Sequence, residues 1–130
     1  MPTRILVAED DVEMCRLLAW TLEQDGYLVT EVHTGVGLLE HIRRAMTPHA
    51  APHEVPDLVV SDMRMPGRSG LEILAAMRRL DAPIPFILIS AFASPELHEE
   101  AARLGAAAVF DKPFDLDRLR DAVRALRRPV

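Results

Sequence analysis

The sequence predicts a parallel α/β domain: one five-stranded sheet with helices on both faces. Two observations carry this. Short apolar runs of strand length alternate with amphipathic segments five times along 130 residues. The connections between them are too short for anything but right-handed crossovers onto a shared sheet, which buries both of its faces.

The first strand is expected over 5–8, a continuous apolar run that ends on Glu9, Asp10 and Asp11. Met14, Leu18 and Leu22 then recur at spacing four, one face of a first helix, and Gly26 falls where a C-cap is wanted. The second strand, 27–32, carries Thr30 and Glu31, which suits an edge position. Leu38, Ile42 and Met46 mark the second helix. The stretch 47–56 holds Pro48, Pro52 and Pro56 with His49 and His53; it is too proline-rich for a helix and reads as an extended surface loop with no assigned function. The third strand, 58–61, runs into Asp62, and Leu71, Leu74 and Met77 define the third helix. The fourth strand, 86–90, ends on Ser90. Ser94-Pro95 starts a fourth helix with its stripe at Leu97, Ala101 and Leu104, closed by Gly105. The fifth strand, 107–110, leads to Lys112-Pro113. Asp115 then opens a fifth helix with Leu116, Leu119, Val123 and Leu126 on one face. Strands one, three and four read as central.

Composition narrows the function classes. The chain is 49% hydrophobic, which suffices for a core without staples, and its length fits one domain over residues 1–130. The lone Cys15 excludes an internal disulfide and suits a reducing, cytoplasmic setting. No apolar run approaches the ~18 residues of a membrane span. No signal peptide is visible, because acids follow 5–8 at once. A net charge of −5 argues against nucleic-acid binding by the domain itself. The five histidines lack metal-ligand spacing and read as surface or loop residues.

Chemistry concentrates at the strand ends. In an open parallel sheet, sites form beyond the carboxyl ends of the strands, and Glu9, Asp10, Asp11, Asp62, Ser90 and Lys112 all converge there. Of fifteen basic side chains, Lys112 is the only lysine, so one compact ammonium stands where every other cation is a guanidinium. Clustered carboxylates need a counterion, and a hard divalent cation with oxygen ligands, Mg²⁺, is the usual one. A carboxylate beside Mg²⁺ and an ammonium can attack an electrophilic phosphorus, because the cations neutralise its oxygens. The Ser90 hydroxyl could then hydrogen-bond the new phosphoryl group.

Four stretches carry a resemblance. They are Ile-Leu-Val-Ala-Glu-Asp-Asp at 5–11, Pro-Asp-Leu-Val-Val-Ser-Asp-Met-Arg-Met-Pro-Gly-Arg-Ser-Gly at 56–70, Ile-Leu-Ile-Ser-Ala at 87–91 and Asp-Lys-Pro-Phe at 111–114. Over about residues 4–126 the chain resembles the receiver domain of two-component response regulators. The resemblance implies a doubly wound (βα)5 flavodoxin-like fold with strand order 2-1-3-4-5. It implies an Mg²⁺-dependent phosphoacceptor supplied by a sensor histidine kinase or phosphotransfer protein, not an enzyme with turnover beyond slow autodephosphorylation. Asp62 resembles the phosphoacceptor, Asp10 a direct Mg²⁺ ligand, Glu9 a ligand through water, and the Arg64 backbone carbonyl a third ligand. Ser90 resembles the switch hydroxyl and Lys112 the conserved-type lysine, with a cis bond to Pro113. Output is expected on the face of the fourth helix, fifth strand and fifth helix, through a partner, a further domain or a homodimer. The chain stops at Val130, just after the fifth helix, which suits a stand-alone receiver or the first domain of a longer regulator.

The chain departs from that pattern at two places. The family often has an aromatic residue three before the lysine; here Val109 stands there and the aromatic is Phe110, which alternation sends to the other face. Arg64 and Phe92, two residues after Asp62 and Ser90, are bulky neighbours expected to hinder hydrolysis of a phosphoform. Two rival readings remain at this level. A phosphohydrolase forming an aspartyl-phosphate wants a second Asp where Arg64 stands. A flavodoxin-like binding module wants a Ser/Thr/Gly-rich phosphate loop where Glu9, Asp10 and Asp11 stand.

Overall fold

The computed structural model describes residues 2–91 and 94–126. Five parallel strands, β1 (Arg4–Ala8), β2 (Leu28–Val32), β3 (Leu58–Asp62), β4 (Phe86–Ser90) and β5 (Ala108–Asp111), lie in the order β2-β1-β3-β4-β5. Helices α1 (Val12–Glu23), α2 (Gly35–Ala45), α3 (Gly70–Arg79), α4 (Pro95–Arg103) and α5 (Leu116–Leu126) connect and cover them. The expected order and the edge position of β2 are both observed.

Strand alternation splits the core into two layers. Leu6, Val59, Phe86 and Leu88 face Leu38, Ile42, Ile73, Leu74 and Met77 of α2 and α3. Ile5, Val7, Val60, Ile87 and Ile89 face Leu18 and Leu22 of α1 and Leu119 and Val123 of α5. Both faces of the central strands are therefore dry, which is why β3 and β4 are fully buried and run apolar without alternation up to their polar carboxyl ends, Ser61-Asp62 and Ser90. Val109 packs with the first layer and Phe110 with the second, where its ring lies 5.8 Å from that of Phe114. The aromatic of β5 thus faces away from α4, as alternation requires.

The caps expected at Ser94 and Gly105 form, joined by Asp11, Thr34 and Ser69. Asp11, Thr34, Ser69 and Ser94 accept from the backbone three residues on, and Gly105 closes α4 with φ 82°. The stretch 47–56 departs from a plain loop in one respect. Pro52–Glu54 forms a single 3-10 turn, with Pro52 at its first position and the Glu54 carboxylate accepting from the Ala51 amide. Proline is tolerated in a first turn, where its missing N–H has no partner to lose.

Candidate functional site

Strand register brings the site together. β1 pairs β3 with Ala8 opposite Ser61, so the next residues, Glu9 and Asp62, emerge side by side. β4 pairs β5 with Ser90 opposite Asp111, and the Lys112 amide donates to the Ser90 carbonyl at 2.8 Å. The Lys112–Pro113 bond is cis. Gly70 makes the platform beneath Asp62 possible: a Cβ there would stand 2.5 Å from the Asp62 carbonyl oxygen and 2.8 Å from Leu88. Only glycine lets α3 start this close to the strand that carries the carboxylate.

Glu9, Asp62 and Ser90 are buried, while Asp10 is exposed at the mouth. The Lys112 Nζ donates to Glu9 Oε1 at 3.0 Å and lies 3.2 Å from Asp62 Oδ1. One carboxylate oxygen from each of Glu9, Asp10 and Asp62 lies within 4.8 Å of the others. Three carboxylates against one ammonium leave negative charge in excess in a poorly solvated place. Burial, above all, pushes the Glu9 carboxyl up to about 7, helped by the neighbouring Asp10 and Asp62 and opposed by Lys112 and the Asp11 amide. Partial burial alone would lower the Lys112 ammonium, but its bonds to Glu9 and Asp62 hold it above the ordinary lysine value.

The donor set fits a magnesium ion. Mg²⁺ takes an octahedron of hard oxygens at about 2.0–2.1 Å, which places ligand atoms roughly 3–4 Å apart. The three carboxylate oxygens span no more than 4.8 Å and carry the charge to hold it. When bound, such an ion supplies charge neutralisation for an incoming phosphoryl group.

The response regulator receiver domain model matches residues 5–124 of this chain. The chain belongs to the receiver domain family. It is 34% identical over 124 residues to sporulation initiation phosphotransferase F of Bacillus subtilis, covering 95% of this chain and 93% of that protein. It is 36% identical over 122 residues to the C4-dicarboxylate transport transcriptional regulatory protein DctD of Pseudomonas aeruginosa, covering 94% of this chain but 24% of that protein. The receiver thus spans nearly all of the first relative and about a quarter of the second. Among solved structures, the receiver domain of Francisella response regulator 1452 superposes with a TM-score of 0.82 at 28% identity, covering 95% of each chain. The non-phosphorylated HemR receiver domain of Leptospira biflexa gives 0.78 at 29% identity, covering 98% of each.

Within this receiver domain, Glu9, Asp10, Asp62 and Lys112 come together as the sequence suggested. Arg64 is exposed in the loop after β3 and lines a cleft with Ser90 and Leu97. Phe92 lies outside the described residues. Asp11 corrects an expectation: it points its carboxylate at the Met14 amide, 3.1 Å away, as the α1 N-cap and stands outside the acidic cluster. Two of the loop and surface histidines make contacts beyond that expectation. His33 places Nδ1 3.1 Å from the Glu9 carbonyl oxygen, and His98 Nε2 lies 3.0 Å from Asp111 Oδ1. Spacing along the chain could not reveal either, but parallel register could have done so for His33, which follows β2 as Glu9 follows β1. None of the helices described is long and apolar enough to cross a membrane.

Proposed function

We propose that this receiver accepts a phosphoryl group on Asp62 from the phosphohistidine of a sensor kinase or phosphotransfer protein and reports it through α4, β5 and α5. The observation that carries the reading is the Lys112 ammonium held between Glu9 and Asp62 at 3.0 and 3.2 Å. It is one compact cation shared by an acidic pair at the mouth of which a second cation fits.

In this reading an Asp62 carboxylate oxygen attacks phosphorus in line. The P–N bond to the donor imidazole breaks, and the imidazole leaves with the electron pair. Lys112 turns towards a phosphoryl oxygen as charge develops; Glu9, Asp10 and Asp62 with the Arg64 carbonyl would hold Mg²⁺, which would neutralise the phosphoryl oxygens. The Ser90 hydroxyl bonds the transferred group and draws the loop before α4 inward, biasing an equilibrium that already exists. Val109 supplies no ring to swing, so the loop and helix carry the change. Glu99 and Arg103 of α4 and Asp117, Arg118 and Asp121 of α5 are exposed, a mixed-charge face suited to a reversible partner such as a second copy of the domain. Arg64 stands two residues after Asp62, where a phosphohydrolase forming an aspartyl-phosphate wants a second Asp as acid/base, which favours a phosphoacceptor over a phosphohydrolase.

Acetyl phosphate with Mg²⁺ should add one phosphoryl group by intact-mass spectrometry, and Asp62→Asn should abolish it. Undiminished labelling of that variant, or labelling in excess EDTA, would overturn the assignment. Mapping of amide shifts with beryllofluoride should then reach 94–104.

A further inference from the structure

We infer that His33, at the end of the edge strand β2, is a positioning residue of the acidic site: its imidazole fixes the Glu9–Asp10 peptide and thereby the direction in which Asp10 presents its carboxylate. The inference rests on the reading of Glu9, Asp10 and Asp62 as the Mg²⁺ site.

Besides the neighbouring Asp10 carboxyl, four polar contacts hold Glu9. Its N–H donates to the Val32 carbonyl at 3.0 Å, and its carbonyl lies 3.1 Å from His33 Nδ1. Its Oε1 accepts from Lys112 at 3.0 Å and its Oε2 from the Asp11 amide at 3.1 Å. Two of these four come from the end of β2, a strand that otherwise gives the site nothing. The β1–β2 ladder stops at Ala8 and Val32. Beyond it the His33 side chain supplies the donor that keeps β1 straight for one more residue.

The chemistry of the bond is unambiguous. A carbonyl oxygen can only accept, so Nδ1 carries the proton whether the ring is neutral or charged. The peptide unit is planar, so fixing the Glu9 carbonyl also fixes the Asp10 N–H and Cα. Asp10 is exposed and comes one residue before the N-cap Asp11. Between the ladder at Ala8 and the cap at Asp11, the Glu9 contacts are what set its backbone. Groups that orient metal ligands typically cost about 10-fold or more in affinity when removed.

Isothermal calorimetry with Mg²⁺ on the full chain tests this, alongside the ¹⁵N shift of the Asp10 amide without metal. His33→Ala should bind Mg²⁺ about tenfold more weakly and move the Asp10 shift, with the thermal midpoint nearly unchanged. His33→Asn should restore both, because its amide nitrogen sits where Nδ1 does relative to Cβ. His33→Gln, whose nitrogen lies one bond further out, should not. Wild-type affinity and an unmoved Asp10 shift in His33→Ala would overturn the inference, as would equal rescue by Asn and Gln. If the wild-type chain itself takes up no Mg²⁺, the site reading falls, and the inference with it, in a pattern distinct from either.

Discussion

Helices α3 and α4 follow adjacent strands and lie on the same face of the sheet, yet they are held very differently. α3 buries Gly70, Ile73, Leu74 and Met77, closes a capping box between Ser69 and Glu72, and ties the Gly70 amide to the Met63 carbonyl at 2.9 Å. Of α4, only Ala101 is fully buried among the residues described, and its N-cap Ser94 has no reciprocal carboxylate partner in a capping box. Leu97 and Leu104 pack against the core only partly buried, and the other ties are polar. Arg78 reaches across from α3 to the Leu104 and Gly105 carbonyls, and His98 bonds Asp111. The strand before the tight helix carries Asp62, and the strand before the loose one carries Ser90. In the proposed reading, the group that is modified sits on a platform, and the group that reports the modification sits at the root of an element that little burial holds in place.

The sharpest way to break this contrast is to truncate one apolar side chain in each helix. Ile73→Ala should cost about 2–5 kcal/mol, because the side chain is wholly buried and leaves a cavity. Leu97→Ala, half-buried on α4, should cost roughly 1 kcal/mol. Urea denaturation measures both, and equal losses would erase the distinction between platform and lever.

A second test lies on the platform itself. With its carboxyl raised from 4.5 to about 7, Glu9 keeps its proton in the folded state over a range where the unfolded chain has lost it. The folded state then binds more protons, so stability falls as pH rises from about 4.5 to about 7 and is flat with respect to this group outside that window. The loss is on the order of 3 kcal/mol in EDTA. Mg²⁺ favours the ionised cluster, so it should restore stability at pH 7.5 and do little at pH 5. Unfolding with and without metal at the two pH values checks this. Glu9→Gln should flatten the metal-free slope; a slope that survives in that variant belongs to other groups.

These expectations show which parts of the molecule the sequence could disclose. Strand ends, helix stripes and caps were legible because they depend on local periodicity and on residues such as Gly105 and Ser94 with one favoured backbone role. The convergence of Glu9, Asp10, Asp62 and Lys112 was legible because parallel strands deliver their carboxyl ends to one edge. Asp11 looked like a fourth acid, yet N-cap geometry three residues before Met14 took it elsewhere. The 3-10 turn at Pro52–Glu54 depends on a carboxylate folding back three residues, which competes with the extended reading that its prolines suggest. His98 and Arg78 were not legible, because their partners lie 13 and 26 residues away and only the fold brings them close, whereas the His33–Glu9 contact, 24 residues apart, follows once β2 is placed beside β1.

Arg78 offers a third test. Its guanidinium bonds the Leu104, Gly105 and Ala82 carbonyls at 2.5, 3.2 and 3.1 Å, answering orphan acceptors beyond the ends of α3 and α4. Arg78→Ala should cost roughly 1–3 kcal/mol and speed amide exchange in the last turn of α4 more than anywhere in α3. Uniform loss of protection across both helices would mean that α4 is held by packing after all.

The smallest effect on stability should come with the most informative change in signalling. His98 and Asp111 are 43% and 60% exposed as side chains, and a pair this wet contributes little to the folded state. His98→Ala should therefore shift the denaturation free energy by less than about 0.5 kcal/mol. The contact nevertheless spans from the first turns of α4 to the end of β5, one residue before Lys112, so any inward movement of the α4 start must strain or break it. Removing it should leave α4 held chiefly from its far end, by Arg78. Beryllofluoride should then produce larger amide shifts over 94–100 in His98→Ala than in the wild type, with those around Asp62 unchanged. Because a ligand can shift an equilibrium only by its differential affinity for the two states, a weaker tie in the inactive state must appear as a larger population of the active one. Shifts identical to wild type would show that the His98–Asp111 contact persists in both states, and that the lever turns about it instead of away from it.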